Sequence, residues 1–178
     1  IHGDIVAVEA LLRWEHPEHG YVNPEEFVSI AEDTGLIYEM GDFVLNNAIN
    51  AVLSLNHSYK TSINLAVNIS PHQFRKRNFV EIIKNILGKY QLEKGFLTLE
   101  LTERIAIENL NEAIEKIDEL RHNGARLSLD DFGTGYSSLS HLKKLPIDEL
   151  KIDKSFVFDI EKDPQDALLV QTIIKIAH

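Results

Sequence analysis

The sequence predicts an α/β protein whose parallel strands curl into a barrel with helices on the outside. Two observations lead to this class. Five strand-like segments are separated by helical segments, and each strand has an apolar face for helices to cover and a polar face opposite it. Strands that alternate with helices form parallel βα units. Right-handed crossovers put every helix on one side of the sheet when it closes into a barrel.

The individual elements follow from hydrophobic periodicity and from helix caps. Strands are predicted at 4–14, 63–70, 96–103, within 125–135 and at 147–157. Helices are predicted at 23–35, 43–55, 79–90, 109–124, 137–145 and from 163 onward. Asn23 and Ser70 are each followed by proline and are typical helix N-caps. Gly124 is a typical helix end.

Composition indicates one ordinary folded domain over residues 1–178, with 44% hydrophobic and 26% charged residues. The net charge of −10 argues against binding a long nucleic acid, which requires basic stripes. Because the chain has no cysteine, disulfides, thiolate metal sites and cysteine nucleophiles are excluded, and a reducing, cytoplasmic setting is favoured. The chain begins without methionine and ends inside an apolar periodic run, so we expect it to be a piece of a longer protein.

Each predicted strand carries one polar face. The polar positions, strand by strand, are Glu9 and Arg13; Ala66, Asn68 and Ser70; Thr98, Glu100 and Thr102; Arg126, Ser128 and Asp130; Glu149, Lys151 and Asp153. For a single strand, an antiparallel sheet with one wet face is the favoured explanation of such alternation. Its recurrence on all the strands, at intervals of about one βα unit, favours a site at the carboxyl ends of neighbouring strands.

The adjacent carboxylates Asp130 and Asp131 are the strongest local signal. Several carboxylates that converge on one place repel one another, and buried charges require partners. A divalent cation removes both problems. Carboxylate and amide oxygens without thiolate favour magnesium, manganese or calcium over zinc.

Other patterns are weaker. His16 and His19 could form part of a metal site, but Pro17 lies between them and a surface loop is the simpler interpretation. The tripeptide 131–133 matches a kinase metal motif and 133–138 half-resembles a dinucleotide loop, but the accompanying motifs are missing. The aromatic residues interpreted as core are Trp14, Phe27, Phe43 and Phe79.

Five motifs occur together in a specific order. They are EALLRW at 9–14, VNIS at 67–70, ELTE at 100–103, DDFGTGYSSL at 130–139 and KID at 151–153. In these motifs the chain resembles the EAL domain family, bacterial phosphodiesterases that act on the second messenger cyclic di-GMP. The resemblance implies a modified TIM-like (β/α) barrel. It also implies that residues 1–178 are a partial domain, incomplete at both ends, without the first strand and about two final βα units.

The resemblance also assigns roles to residues. It implies a two-metal site for Mg²⁺ or Mn²⁺, with Glu9, Asn68, Glu100 and Asp130 on one ion and Asp130 and Asp131 on the second. Lys151 is expected to contact the hydrolytic water, Arg13 to hold a substrate phosphate, and Leu11 to lie against the guanine-bearing ligand. Glu103 is expected to brace the loop Phe132–Ser138, which couples the site to a dimer interface.

The implied function is metal-dependent hydrolysis of cyclic di-GMP to linear 5′-pGpG in a homodimer. A GGDEF or sensory domain is expected in the same protein, and segments outside this chain could tether it to the inner membrane. A further metal-binding glutamate of the family, in an AEGVE-like motif, is not present, so this stretch alone is expected to be inactive. The alternatives are a catalytically silent cyclic di-GMP receptor or interaction module, and another metal-dependent barrel enzyme with a different phosphate substrate.

Overall fold

The structure is a computed structural model that describes residues 3–133, 142–158 and 160–177. Its strands are β1 (Ala7–Ala10), β2 (Trp14–His16), β3 (Gly20–Val22), β4 (Asn64–Ile69), β5 (Leu97–Thr102), β6 (Arg126–Phe132) and β7 (Glu149–Ile152). Its helices are α1 (Pro24–Thr34), α2 (Ile37–Tyr59), α3 (Pro71–Arg75), α4 (Phe79–Lys89), α5 (Glu103–Glu108), α6 (Leu110–His122), α7 (Lys154–Phe158) and α8 (Pro164–Ala177).

A five-stranded parallel sheet forms the centre of the molecule, in the order β1-β4-β5-β6-β7. Helices α2, α6 and α8 pack against β4, β6 and β7 respectively. Consecutive strands of the sheet are neighbours and are joined by helices, which is the arrangement of a (β/α) barrel wall. The expected α/β class with a TIM-like parallel sheet is confirmed.

The apolar face of the three central strands is fully covered by helices. Its residues are Leu65, Val67, Ile69, Leu97, Leu99, Leu101, Leu127 and Leu129, all buried. Burying each such side chain contributes roughly 1.5–3 kcal/mol. Because this face is closed, the polar face must look toward the inside of the curled sheet, where it can form a site.

Several element boundaries differ from the prediction for local reasons. The predicted strand 4–14 is cut short at Ala10, and its last residue begins an antiparallel hairpin in which Trp14 pairs with Val22. The predicted strand 147–157 ends at Ile152, because the Asp153 side chain accepts a hydrogen bond from the Ser155 N–H at 2.8 Å and starts α7. The predicted helix 137–145 lies mostly outside the described residues.

The helical caps agree with the sequence better than the helix lengths do. The Asn23 side chain accepts from the Glu25 N–H at 3.2 Å, and Ser70 forms a capping box with Gln73. However, α2 extends over Ile37–Tyr59, well beyond the predicted 43–55. The helix expected to run on from Ser70 is divided into α3 and α4, because Lys76 takes an extended conformation with ψ of 131°.

The aromatic residues divide into two groups. Phe27 and Phe79 are buried, as predicted. The prediction is wrong for Trp14, which is 43% exposed on the hairpin, and for Phe43, which is 59% exposed on the outer face of α2. Trp14 still packs edge-on against Phe27, with ring centroids 5.7 Å apart.

In the part of the chain that the structure describes, no helix combines the length and the apolar character that crossing a bilayer requires.

Candidate active site

Five polar side chains from five strand ends meet at the carboxyl edge of the sheet. The Lys151 Nζ lies 2.9 Å from Glu100 Oε2, 3.2 Å from Asp130 Oδ2 and 3.8 Å from Glu9 Oε2. Asn68 Nδ2 donates to Glu9 Oε1 at 2.7 Å. We call these residues, Glu9, Asn68, Glu100, Asp130 and Lys151, the carboxylate cluster.

Strand register explains the convergence. Asn68 is paired directly with Glu100 across β4 and β5, and Asp130 is opposite Thr102 at the end of β6. Parallel strands that are in register bring their carboxyl ends to the same edge, so residues that are distant in sequence become neighbours. Strand pairing therefore brings together the polar residues that the alternation in the sequence assigned to one face of the sheet.

Burial and mutual charge control the protonation of the cluster. Glu100 is only 5% exposed, and this burial raises its pKa, although the hydrogen bond and positive charge of Lys151 oppose the rise. Burial alone would lower the pKa of Lys151, but hydrogen bonds and attraction from Glu100 and then Asp130 raise it well above its ordinary value. The ammonium therefore keeps its proton throughout the physiological range.

Asp131 lies next to the cluster in an unusual backbone conformation. Its φ is +54°, and its N–H donates to the Asp130 carboxylate at 2.9 Å. Pairing between β6 and β7 shifts register between Leu129 and Phe132, so the strand is irregular at this doublet. Burial, the negative charge of Asp130, and the charge and hydrogen bond of Asp153 together raise the pKa of Asp131.

Glu103 contacts the segment that follows Asp130 and Asp131. It is 4% exposed, and its Oε2 accepts the N–H of Gly133 at 3.3 Å. Gly133 has φ of +103°, and a Cβ there would lie 2.9 Å from Cε2 of Phe156. Glu103 therefore contacts the start of the expected loop Phe132–Ser138, while 134–138 lie outside the described residues.

An apolar cleft of about 480 Å³ opens next to the carboxylate cluster. Arg13 and Leu11 line it from the segment after β1, and Asn68 lines it from β4. Leu11 is 54% exposed, and the Arg13 guanidinium donates to the Leu12 carbonyl at 2.9 Å. A cleft with apolar walls, a guanidinium and an acidic edge suits a ligand with flat rings and phosphates.

The donor atoms of the carboxylate cluster are mainly carboxylate and amide oxygens. Among residues 3–133, 142–158 and 160–177, no group of three or more histidine, cysteine, aspartate or glutamate side chains is arranged to hold a metal ion. The Lys151 ammonium is located where the oxygens converge. One ammonium cannot balance Glu9, Glu100, Asp130 and Asp131 together, so the oxygen-rich, negative edge fits a divalent cation that prefers oxygen ligands.

The two histidines of the hairpin serve a local purpose. His16 Nδ1 accepts from the N–H groups of Glu18 and His19, at 3.2 and 3.3 Å, and the two imidazole rings stack with centroids 4.7 Å apart. They stabilise the turn between β2 and β3.

The sequence motifs did not assign a role in the site to two residues that lie near it. Gln73 lines the cleft beside Asn68, and Asp153 hydrogen-bonds with Asp131. The signal for Gln73 was the spacing Ser70-x-x-Gln73, which predicted a cap and gave no indication of a cleft. Asp153 shares the polar parity of Lys151 but lies beyond the end of β7.

A parallel β/α sheet with charged side chains gathered at the carboxyl ends of its strands defines a barrel protein of the type that places chemistry at that face. The family model of the EAL domain matches residues 1–178, and the chain belongs to the EAL domain family.

Relatives and solved structures agree with this assignment. The chain is 41% identical over 177 residues to the bifunctional diguanylate cyclase/cyclic di-GMP phosphodiesterase MucR of Pseudomonas aeruginosa, covering 99% of this chain and 26% of MucR. It is 39% identical over 176 residues to the cyclic di-GMP phosphodiesterase PdeR of Escherichia coli (strain K12), again covering 99% of this chain and 26% of the relative.

A structure of the PaMucR phosphodiesterase in complex with c-di-GMP superimposes with a TM-score of 0.88 at 41% identity, over 98% of this chain and 70% of that one. The chain thus spans about a quarter of the length of these two curated relatives.

Proposed function

We propose that this chain forms part of a metal-dependent phosphodiesterase that hydrolyses cyclic di-GMP to linear 5′-pGpG. The observation that carries the proposal is the carboxylate cluster, in which three carboxylates lie within 3.8 Å of one lysine ammonium at the edge of an apolar cleft. The names of MucR and PdeR, which describe cyclic di-GMP phosphodiesterases, support the choice of substrate.

Mg²⁺ or Mn²⁺ would be held by oxygens of this cluster. Glu9, Asn68, Glu100 and Asp130 are the proposed ligands of one ion, and Asp130 with Asp131 the proposed ligands of a second. The Asn68 amide donates to Glu9, which leaves its carbonyl oxygen as the donor for a cation. When bound, such ions lower the pKa of water and neutralise phosphate oxygens.

The protein side chains bind and orient the substrate and the water. Lys151, whose Nζ lies 2.9 Å from Glu100 and 3.2 Å from Asp130, is the proposed hydrogen-bond donor that holds the attacking water. Arg13 offers a planar, permanently charged guanidinium to a phosphate. Leu11 and the apolar wall of the cleft exclude water from one guanine.

Regulation and assembly are part of the same proposal. Glu103 positions the segment after the aspartate doublet through Gly133, and we propose that this segment connects the site to a homodimer interface. MucR is named for a cyclase as well as a phosphodiesterase, which supports a GGDEF or sensory domain in the same protein.

The test is turnover by the full-length protein. Purified protein is incubated with cyclic di-GMP and either Mg²⁺ or Mn²⁺, and the products are separated by chromatography. Linear 5′-pGpG should appear, should vanish with EDTA, and should return when the metal is restored. Glu115→Gln is a control variant that removes an exposed carboxylate of α6 outside the carboxylate cluster, and it should leave turnover unchanged. Absence of the linear product with both metals would overturn the proposal.

A non-catalytic cyclic di-GMP receptor is the second candidate. The position of Lys151, with its ammonium where the carboxylate oxygens converge, favours it. Calorimetry distinguishes the two: binding of cyclic di-GMP without any product over hours identifies a receptor, and binding with product formation identifies the enzyme.

A further inference from the structure

Gly41, in the interior of α2, faces Gln73 of α3 with no room for a side chain of its own. A Cβ on Gly41 would overlap with Nε2 of Gln73 and lie 3.0 Å from its Cδ, and its three nearest neighbours all belong to that side chain. A glycine inside a helix is unfavourable relative to alanine. The close approach of Gln73 explains why α2 has a glycine at this point.

Gln73 connects this contact to the end of β4. Its Oε1 accepts the N–H of Ser70 at 3.0 Å, and its own N–H donates to Ser70 Oγ at 3.3 Å. The side chain is buried. One amide therefore fixes the first residue after β4, and its other end occupies the space that a side chain on Gly41 would need.

Asn68 is the cluster residue that lies just before this connection in the chain. Pairing between β1 and β4 extends to Ala10 and Val67, so Asn68 lies one residue beyond the last pair on that side. Its amide nevertheless reaches Glu9 on β1 at 2.7 Å. The backbone after Asn68 is fixed by the Ser70 cap, and Asn68, Gln73 and Gly41 line the same cleft.

We propose that Gln73, seated on the bare backbone of Gly41, is a positioning residue that holds the carboxyl end of β4 so that the Asn68 amide meets Glu9. Its effect on hydrolysis rests on the proposed function, whereas its effect on Asn68 does not. Gln73 acts through Ser70 and the strand end, and the substrate is not required for its role.

The contact is tested with Gly41→Ala, Gln73→Ala and the double variant in the full-length protein. Gly41→Ala alone should lower Tm by about 5 °C, since the new methyl group displaces the Gln73 side chain. In the Gln73→Ala background the same change should raise Tm slightly, because the obstructing atoms are gone and alanine favours the helix. Gly88→Ala is the matched control, because Gly88 lies within α4 and a Cβ there meets nothing within 4 Å.

The positioning role is tested by NMR of the Asn68 side-chain amide in asparagine-labelled protein, assigned with Asn68→Asp. Gln73→Ala and the double variant should both shift these signals, although the double variant should be slightly more stable than Gln73→Ala. Gly88→Ala should leave them in place. In both shifted variants kcat should fall about tenfold with little change in KM, as expected for a displaced active-site group.

Two results would overturn the inference: an equal loss of Tm for Gly41→Ala in both backgrounds, or Asn68 signals in Gln73→Ala that coincide with those of the wild type. If the role of Gln73 were purely structural, the Asn68 signals and kcat of the double variant would move back toward those of the wild type as its Tm rises above that of Gln73→Ala. If the wild type hydrolyses nothing, the proposed function fails, and the Tm and amide measurements still decide the role of Gln73.

Discussion

The two ends of the β6–β7 pair use charge in opposite ways. At the amino end, Asp148 and Arg121 form a one-to-one pair, with Nη2–Oδ1 at 2.8 Å and Nε–Oδ1 at 3.1 Å, and Asp148 Oδ2 also accepts the Leu127 N–H at 2.9 Å. At the carboxyl end, Lys151 faces three carboxylates.

The difference separates structure from chemistry. A balanced and hydrogen-bonded pair satisfies its own partners and needs nothing further. An excess of negative charge is costly in the folded protein and is tolerated where a ligand can neutralise it. In barrel proteins the amino face of the sheet generally contributes stability and the carboxyl face contributes catalysis. Four predictions test whether this division holds here.

The largest expected effect is on turnover at the carboxyl end. Asp130→Asn removes a carboxylate shared by both proposed metal sites, and we expect kcat/KM for cyclic di-GMP to fall about 10³-fold. The fold should be retained, because a neutral amide relieves repulsion with Glu100 and Asp131. Steady-state kinetics and circular dichroism measure the two effects. Activity close to that of wild type would remove Asp130 from the site.

Lys151→Met should affect stability in a metal-dependent manner. Without divalent ions, the loss of the ammonium leaves Glu9, Glu100 and Asp130 facing one another, and the free energy of unfolding should fall by about 2 kcal/mol. Mn²⁺ should restore most of that loss. Urea denaturation with and without Mn²⁺ measures it, and Lys84→Met on the exposed side of α4 is the control. A loss that Mn²⁺ leaves unchanged contradicts a metal site at this edge.

Asp148→Ala should weaken the fold and spare the chemistry. It removes the partner of Arg121 and the acceptor of the Leu127 N–H, so we expect a loss of about 1–2 kcal/mol, limited by the partial exposure of the pair. The kcat of the folded protein should remain that of wild type. Urea denaturation and kinetics at low temperature check both statements. A large fall in kcat would show that the two ends are coupled.

The smallest expected effect is on stability and kcat when alanine replaces the glycine near either end of β6. Gly124 has φ of +104° and Gly133 has φ of +103°, so the backbone of an alanine at either position is strained by about 1 kcal/mol, and the Cβ of Gly133→Ala would also lie 2.9 Å from Phe156 Cε2. Only Gly133→Ala should also lower kcat, because Gly133 binds Glu103 and lies next to Asp131. Thermal melts and kinetics of the two variants are compared directly. Equal kcat values would show that the segment after the doublet does not need this geometry.

The sequence predicts the sheet well because its signal is local. Alternating residues such as Leu99 and Glu100 show which face is covered and which is polar, and parallel pairing then aligns the strand ends. The caps at Asn23 and Ser70 are equally local, since each involves a side chain and a backbone group within three residues.

Features that depend on distant packing could not be predicted. The exposure of Phe43 depends on which side of α2 meets the sheet, and the hairpin that includes Trp14 replaces the end of a predicted strand. The contact of Gln73 with Gly41 joins two helices that are separated in sequence by β4. The alternation suggested cluster members, but the position of the Lys151 ammonium among them emerged only from the folded arrangement.

The register shift between β6 and β7 has a consequence for how this edge can vary. In a regular strand two consecutive side chains point to opposite surfaces, so a pair such as Asp130 and Asp131 could not serve one space. The irregular ladder and the left-handed backbone at Asp131 overcome that restriction. A one-residue insertion in β7 that made the ladder regular would turn one acid outward and disable the proposed site, while every acidic residue remained in the sequence.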